Sequence, residues 1–380
     1  MRSISKPISR IIHRADEPSL VKRLGTVHWG SLAAALALAL VGVFTVNSAT
    51  SELGSGFVAR QSAWIFLGLV ICALALAFDY RKLIDLAPIF YTVGLVVLVL
   101  ILFFGKERGG ARSWISSGTV GGQPTELVKV ATALLLARLL ARVYRPQLQL
   151  REILAACFVV ALPVTLVALQ RDMGSASMFL PMLAGMVVVA GVRWKHVLVM
   201  GLLGLVLVAG LWQFALHDFQ KARVMSYLSP DADPLGDGYQ VRQSKIAVGS
   251  GMWTGRGYLQ GTQSQLRFLP ARHTDFVMAV LAEEQGFFGV LLVLGLYGVF
   301  LSGAAAIAAR SRDRGGVLLV TGLVSVIAFH VLYNTGMVIG FVPITGIPLP
   351  FLSYGGSFML ANFLAVGLIL NVDYRRYVNR

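Results

Sequence analysis

Residues 87–104 read APIFYTVGLVVLVLILFF, eighteen consecutive residues without a charged side chain. About 20 apolar residues in a helix span a bilayer core of roughly 30 Å, so this stretch is typical of a transmembrane helix. The runs of this kind are continuous rather than alternating, which excludes a β-barrel. The sequence therefore predicts an all-α integral membrane protein with ten transmembrane helices, spans 1 to 10: residues 29–46, 63–78, 87–104, 127–144, 153–169, 173–192, 197–216, 276–308, 315–342 and 355–372.

The composition agrees with a membrane protein. Of 380 residues, 56% are hydrophobic and only 13% are charged, with a mean hydropathy of +0.73, whereas about a quarter of a soluble domain is charged. The net charge of +15 comes from cations scattered between apolar runs, so no basic stripe for nucleic acid is expected. The two cysteines lie within apolar runs, which excludes a disulfide framework and a zinc site.

The Lys and Arg residues predict the orientation. With the N-terminus inside, twenty of them fall in inner segments and five in the short outer loops, as the positive-inside rule requires. Residues 1–28 are predicted to be a basic cytoplasmic segment resting on anionic lipid, residues 29–372 a single membrane domain, and residues 373–380 a short cytoplasmic tail. Residues 217–275, between spans 7 and 8, then form a long extracytoplasmic loop, and loops of this length usually carry function.

The stretch from Gln123 to Lys129 reads QPTELVK and opens span 4. Proline followed by an acidic residue is a good helix start, and Glu126 and Lys129 share a helix face. Ionisable groups at this depth face a cavity or a partner. The pair is therefore either a structural ion pair or part of a substrate site.

Two stretches of the long loop have alternative interpretations. Residues 231–237 read DADPLGD, which permits a divalent-metal pair of aspartates but favours an ordinary turn. Residues 243–257 mix glycines, hydroxyls and cations, so that Lys245 or Arg256 could hold a pyrophosphate on a backbone cradle. The alternative is a glycine-rich segment that permits close packing.

Residues 268–276, FLPARHTDF, stand at the outer end of span 8 and contain the strongest catalytic candidate. Asp275 is either a general base or, as Thr274 could be, the N-cap of the helix. Glu283 and Glu284 lie two turns further in, where at least one must be paired or protonated. His330, in span 9, is most simply a hydrogen-bonding residue of the bundle.

The last outer loop, residues 334–357, contains three prolines and five glycines. Irregular backbone at membrane depth is tolerated only where it faces protein or a wet cavity. This segment is therefore predicted to build a site.

Three motifs together resemble the SEDS family (shape, elongation, division and sporulation) of polytopic peptidoglycan polymerases: the runs 343–357, 269–276 and 123–129. The run GTQSQ at 261–265 and the short tail resemble the RodA branch more than FtsW. The resemblance implies a glycosyltransferase in the bacterial inner membrane that joins lipid II into glycan strands at the outer face, with inversion. It also implies a class B penicillin-binding protein as partner, together with other elongation-complex membrane proteins.

By position in these motifs, the resemblance implies that Asp275 is the catalytic base, that Glu126 and Lys129 are functional, and that Asp172 is the acid of a Gln-Pro-Asp-x-Gly motif. Arg171 stands where this pattern has proline, and Ala271 stands where family members often have an acidic residue. A leaving lipid pyrophosphate needs cations or a metal: Lys129, Lys245, Arg256 and Arg272 are the candidate cations, and Mg²⁺ or Mn²⁺ the candidate metal. Further residues predicted to bind substrate are Arg112, Lys245, Arg256, Arg272, His273 and Ser357. A lipid-precursor flippase and a non-catalytic scaffold of a transpeptidase are the alternative functions.

Overall fold

The computed structural model describes residues 27–52, 54, 56–108, 110–117, 120–199, 201–202, 204 and 236–376. Within them the long helices are α1 (Trp29–Ala49), α2 (Gly56–Ala77), α3 (Tyr80–Phe104), α4 (Thr125–Ala141), α5 (Leu150–Leu169), α6 (Met173–Ser177) with α7 (Phe179–Gly191), α8 (Asp237–Gly251), the short α9 (Thr262–Gln265), α10 (Val277–Arg310), α11 (Arg314–Val338) and α12 (Gly356–Arg375). Residues 1–26 and most of span 7 lie outside the described residues.

Eight helical segments of the described chain are long and apolar enough to cross a membrane: α1, α2, α3, α5, α6 with α7, α10, α11 and α12. The prediction of an all-helical membrane protein is confirmed at this level. Span 4 differs from its prediction because α4 has only 17 residues and buries the charged Glu126 and Lys129. Span 6 is divided at Met178 between α6 and α7.

The core is built around α11 and α12, the most enclosed of the spanning helices. Helix α12 packs against α2, α11 against α7 and α4, and α10 against α1. Small residues permit these close approaches. A methyl group at Gly367 of α12 would come within 2.8 Å of the Cys72 carbonyl oxygen of α2, and one at Gly42 of α1 would reach the backbone of Leu352 at 2.8 Å.

The connection between α3 and α4 forms a small sheet, which the all-α prediction lacks. Strands β1 (Lys106–Arg108), β2 (Ala111–Ser117) and β3 (Val120–Gly122) pair antiparallel in that order. Polar loop residues outside the bundle satisfy their backbone groups by this pairing. The Arg112 N–H donates to the Gln170 carbonyl at 2.9 Å, which ties β2 to the end of α5.

Helix α10 is bent at Gly286, whose φ of 65° and ψ of −163° are not helical. A side chain there would meet the Trp253 carbonyl at 2.7 Å. Residues 277–284, before the bend, are all buried, and α8 packs against this helix. The predicted straight span 8 is therefore two segments, of which the first is enclosed by protein.

Both glutamates before the bend have hydrogen-bond donors. Glu283 accepts from the N–H groups of Gln263 at 2.8 Å and Ser264 at 3.1 Å, and so supports the start of α9. Glu284 accepts from the Ser48 hydroxyl of α1. These contacts give both side chains a structural role in joining α10 to its neighbours.

Candidate active site

A cavity of about 420 Å³ lies where the three sequence motifs meet. Its walls come from β2, the start of α4, the junction of α5 with α6, one side chain each of α8 and α11, the turn before α10 and the irregular segment before α12. The residues that line it with polar side chains include Ser113, Gln123, Glu126, Arg171, Asp172, Ser175, Gln240, Thr274, Asp275, His330 and Thr345. Helix packing thus brings carboxylates that are distant in sequence to one polar chamber.

Asp275 is half-buried in this cavity, on a tight turn that precedes α10. The Ala271 carbonyl accepts the N–H groups of Thr274 and Asp275, both at 3.1 Å. Three successive carbonyls of the turn are then held from the other side. That of His273 accepts from the Tyr354 N–H at 2.9 Å. Those of Thr274 and Asp275 accept from Ser353 Oγ at 2.6 Å and from Asn334 Nδ2 at 2.7 Å. The backbone that carries the Asp275 carboxylate is therefore fixed on two sides.

The structure does not have Asp275 or Thr274 in the N-cap role that the sequence offered as an alternative. Helix α10 begins at Val277, and Phe276 occupies the N-cap position, without a side-chain capping bond. The Thr274 hydroxyl donates instead to the Ala271 carbonyl at 3.2 Å. Neither Thr274 nor Asp275 is thus the N-cap. Their N–H groups donate back to the Ala271 carbonyl in a turn, and the helix starts only after this turn, at Val277.

Glu126 and Lys129 form a buried ion pair, with Lys129 Nζ 2.8 Å from Glu126 Oε2. Lys129 Nζ also lies 3.2 Å from His330 Nε2, and His330 Nδ1 lies 3.0 Å from the Pro348 carbonyl oxygen. An ammonium has only donors and a carbonyl only accepts. The imidazole must therefore accept from Lys129 and donate to Pro348, which links the ion pair to the cavity wall.

Gln123 joins the α4 motif to the Asp172 motif. Its Nε2 donates to Asp172 Oδ2 at 2.5 Å and to Ser175 Oγ at 3.2 Å. Asp172 is the N-cap of α6, where its Oδ1 accepts the Ser175 N–H at 3.0 Å. The Gln123 N–H donates to Ser357 Oγ at 3.0 Å, which places Ser357 in a structural contact behind the cavity wall.

The two departures from the family pattern both lie on the cavity. Arg171 is exposed and has a φ of 64°, which a proline ring excludes. Ala271 has a φ of 50° and supplies the carbonyl on which the Asp275 turn closes. The end of α5 is well defined despite the missing proline, because Gln170 caps it and Asp172 starts α6.

None of the cations predicted to bind substrate lines the cavity: Arg112, Lys129, Lys245, Arg256 and Arg272. Lys245 is exposed on α8 and its methylene lies against Gly340. Arg256 is exposed and donates to Thr262 Oγ1 at 3.2 Å. Arg272 is buried and donates to the Ser264 carbonyl. Arg112 lies beside Glu107 at 3.7 Å. Glycines of the 243–257 stretch pack closely on α10 instead: a methyl group at Gly251 would come within 3.1 Å of Glu283 Cα.

His273 lies beside the cavity rather than in it, with its ring 5.5 Å from Phe57 and 5.9 Å from Tyr354. Burial, and then the positive charge of Arg272, lower the pKa of the His273 imidazole below its ordinary value. The neutral ring suits its aromatic surroundings.

No group of three or more His, Cys, Asp or Glu side chains in the described part of the chain could hold a metal ion. Each oxygen of Asp172 already accepts a hydrogen bond, and Glu126 is paired with Lys129. The acidic stretch 231–235 lies outside the described residues. The described residues therefore offer no set of three such protein ligands for a divalent cation.

Sequence reasoning missed the site role of Gln123, Arg171, Ser175, Asn334 and Ser353. Gln123 and Ser353 stand inside the motifs, and Arg171 is conspicuous as the replacement of a proline, so a signal existed for these three. Asn334 and Ser175 are polar residues in or beside apolar runs, a weaker signal that buried hydrogen bonding explains afterwards.

Comparison with known proteins identifies the family of the chain. The FtsW/RodA/SpoVE model, described as a cell cycle protein, matches residues 26–378. The peptidoglycan glycosyltransferase MrdB of Escherichia coli (strain K12) is 38% identical over 343 residues, which cover 90% of this chain and 92% of that protein. The peptidoglycan glycosyltransferase RodA of Treponema pallidum (strain Nichols) is 30% identical over 417 residues, covering 90% and 96%.

Two solved structures resemble the whole fold. One is a chain from work on the structural coordination of polymerization and crosslinking by a peptidoglycan synthase complex, with a TM-score of 0.80 and 32% identity, covering 92% of this chain and 98% of that one. The other is the rod shape determining protein RodA of Thermus thermophilus, with a TM-score of 0.68 and 30% identity, covering 92% and 97%. The chain belongs to the FtsW/RodA/SpoVE family, as its motifs predicted.

Proposed function

We propose that this chain is a peptidoglycan glycosyltransferase that polymerises lipid II at the outer face of the cytoplasmic membrane, for cell elongation. The names of its relatives MrdB and RodA support this activity. The observation that carries the proposal is the half-buried Asp275, which lines a polar cavity of about 420 Å³ on a turn held by three carbonyl hydrogen bonds.

In this mechanism the acceptor sugar hydroxyl attacks the anomeric carbon of a lipid-linked donor. The Asp275 carboxylate takes the hydroxyl proton as the new glycosidic bond forms. The bond from the anomeric carbon to the pyrophosphate oxygen breaks, and its electron pair leaves with the lipid pyrophosphate. A single displacement inverts the anomeric carbon, from an α-linked donor to a β-linked glycan.

Arg171, which was not among the predicted pyrophosphate ligands, is the cation that we assign to the pyrophosphate, because it lines the cavity and Lys129, Lys245, Arg256 and Arg272 do not. A guanidinium binds phosphate oxygens in a bidentate manner. Glu126 and Lys129 then support the cavity floor: their charges neutralise each other, and Lys129 also donates a hydrogen bond to His330. The predicted Mg²⁺ or Mn²⁺ ion is given no step, and every step above uses the residues of this chain.

We also propose the finer topology: ten spans, both termini cytoplasmic, and the cavity open to the outside. The proposal adds α4 and the residues 197–216 to the eight helices that meet the length criterion. It rests on the excess of Lys and Arg in the inner segments. We also place the chain in the inner membrane of a bacterium, because its proposed substrate, lipid II, is polymerised at the outer face of that membrane.

The proposed partner is a class B penicillin-binding protein that crosslinks the strands made here, within a larger elongation complex of membrane proteins. The similarity to a chain of a peptidoglycan synthase complex supports it. The proposed ligands are lipid II and the growing lipid-linked glycan.

The decisive experiment incubates the purified chain with labelled lipid II, with and without its transpeptidase, and separates polymer from lipid. We expect polymer that disappears in Asp275→Asn protein. Movement of lipid between leaflets of vesicles without any polymer would instead identify a flippase, and neither activity would identify a scaffold. Either of those two results contradicts the proposal.

A further inference from the structure

Two polar residues of α11 contact both halves of the candidate site. His330 and Asn334 are four residues apart, so they share one helix face, and both are buried, with 2% and 0% of their surface exposed. Their side chains meet the irregular segment before α12 through two consecutive carbonyls, those of Ile347 and Pro348. The helix face therefore holds one short stretch of the cavity wall.

Asn334 connects this wall to the proposed base. Its Nδ2 donates to the Asp275 carbonyl and to the Ile347 carbonyl, each at 2.7 Å. An amide NH₂ has two protons, so both are used. The same side chain thus fixes the spacing between the turn that carries Asp275 and the wall opposite.

His330 connects the wall to the ion pair. It accepts from Lys129 Nζ at 3.2 Å and donates to the Pro348 carbonyl at 3.0 Å. Prolines at 343, 348 and 350 have no N–H, so this segment cannot build a regular backbone ladder. Its position depends on donors that come from α11 and from neighbouring loops.

We propose that His330 and Asn334 are positioning residues, which hold Asp275 and the Glu126–Lys129 pair at the separation that glycosyl transfer needs. This inference rests on the proposed polymerase activity. Neither residue needs to contact substrate for it, because both act through the groups that they hold. A misplacement of about 1 Å at a reacting group costs on the order of 100-fold in rate.

Matched variants of His330 can remove its two hydrogen bonds one at a time. Asn places an amide nitrogen near the Nδ1 position, so His330→Asn can keep the donor to Pro348 and lose the acceptor for Lys129. Gln reaches the Nε2 position, so His330→Gln can keep the acceptor and lose the donor. His330→Leu and Asn334→Leu remove all of these bonds, and Asn334→Ser leaves one hydroxyl donor for a milder change.

The control is Asn371→Leu. Asn371 is also fully buried, and its Nδ2 donates to the carbonyls of Ala75 and Leu76. It joins α12 to α2 at the other end of these helices, far from the cavity. It therefore reports what the loss of a buried, carbonyl-bridging asparagine does to the protein in general.

The assay measures kcat and KM for lipid II polymerisation by monodisperse full-length protein. We expect Asn334→Leu and His330→Leu to lower kcat about 100-fold with KM within about three-fold. The kcat of Asn371→Leu should stay within about three-fold of wild type. The kcat values of the milder variants should lie between these two limits: His330→Asn, His330→Gln and Asn334→Ser. Wild-type kcat in folded His330→Leu and Asn334→Ser protein would overturn the proposal. An equal loss of kcat in Asn371→Leu would do the same.

Hydrogen exchange separates this inference from the proposed function. Amides of residues 274–276, 344–347 and 349 should exchange faster in the α11 variants than in wild type or Asn371→Leu. Faster exchange in a chain whose wild type makes no polymer would refute the polymerase, and His330 and Asn334 would then hold the cavity wall without serving glycosyl transfer. Unchanged exchange, with an active wild type and active variants, would refute the positioning role alone.

Discussion

Two clusters of buried or half-buried polar groups lie at opposite ends of α11 and α12, and the cavity of the candidate site lies in the outer one. The outer cluster surrounds Asp275 and lines about 420 Å³ of open space. The inner cluster includes Asn371, which donates to carbonyls of α2, and Asp313, which accepts from Tyr80 Oη at 3.1 Å and from the Gly316 N–H at 3.0 Å. None of these inner residues lines the cavity.

The difference teaches that buried polar groups alone do not identify a site. At the inner end, the Asn371 amide and the Asp313 carboxylate are hydrogen-bonded to neighbouring groups and the helices meet directly, as in a stable membrane bundle. At the outer end, an irregular segment with three prolines keeps the helices apart, and side chains rather than a backbone ladder hold it. The space that results is available to a substrate.

The largest expected difference between the two clusters comes from the same substitution, aspartate to asparagine, made once in each cluster. Asp275→Asn removes the proposed base, and general-base losses run to roughly 100-fold or more. Asp313→Asn keeps an oxygen that can cap α11, since Asn and Asp cap about equally well, and should leave polymerisation near wild type. Lipid II polymerisation by monodisperse protein measures both.

Asp275→Glu moves the carboxylate by one methylene and should retain only partial activity. Near wild-type polymerisation by Asp275→Asn protein would remove the catalytic assignment and favour the flippase or the scaffold. Equal losses in the Asp275 and Asp313 variants would mean that the contrast between the two clusters is wrong.

The second expected effect concerns the ion pair at the cavity floor. Glu126→Lys or Lys129→Glu alone places two like charges side by side in a buried position, which should cost at least as much as an unpaired buried charge, about 3–5 kcal/mol. Exchanging both charges should restore part of the stability but not the activity. The reason is His330: its Nε2 accepts from Lys129, and a carboxylate at 129 would face that lone pair. Thermal unfolding and polymerisation of the three variants test this, and full activity of the double variant would assign the pair to structure alone.

A smaller effect is expected at Arg171. Arg171→Gly keeps the left-handed backbone and removes the cation, so KM should rise about ten-fold with little change in kcat, as a lost charged hydrogen bond predicts. Arg112→Gln is the control, because Arg112 is also an outer-loop cation but does not line the cavity. An unchanged KM in Arg171→Gly protein would remove Arg171 from pyrophosphate binding.

The smallest effect is a pH dependence of stability. Because the pKa of His273 is lowered by burial and by Arg272, the unfolded chain binds more protons than the folded one as the pH falls below 6.5, the ordinary value. Stability should therefore rise with pH through that window. Between pH 5 and 7.5 the unfolding temperature of His273→Gln protein should change less than that of wild type, by a difference of less than about 4 °C. An unchanged slope would show that His273 makes no contribution.

Local features were predictable from the sequence. Long apolar runs identify most membrane helices because the bilayer thickness sets a length that each run meets on its own. The proline-rich segment before α12 was expected to build a site, and it forms a cavity wall. The break at Gly286 was not expected, since glycine is common in membrane helices and its φ depends on Trp253 and Gly255 packed beside it.

The sequence by itself determined the class of the protein, its membrane helices in outline and the motifs that predict its family, because each depends on residues close together in the chain. Only the tertiary structure decided which groups meet. Lys245 and Arg256 share a loop with Asp275 yet do not line its cavity, whereas Arg171 does. His330 and Asn334 join the site through carbonyls of another segment. Such contacts depend on how helices pack across hundreds of residues, which no local pattern encodes.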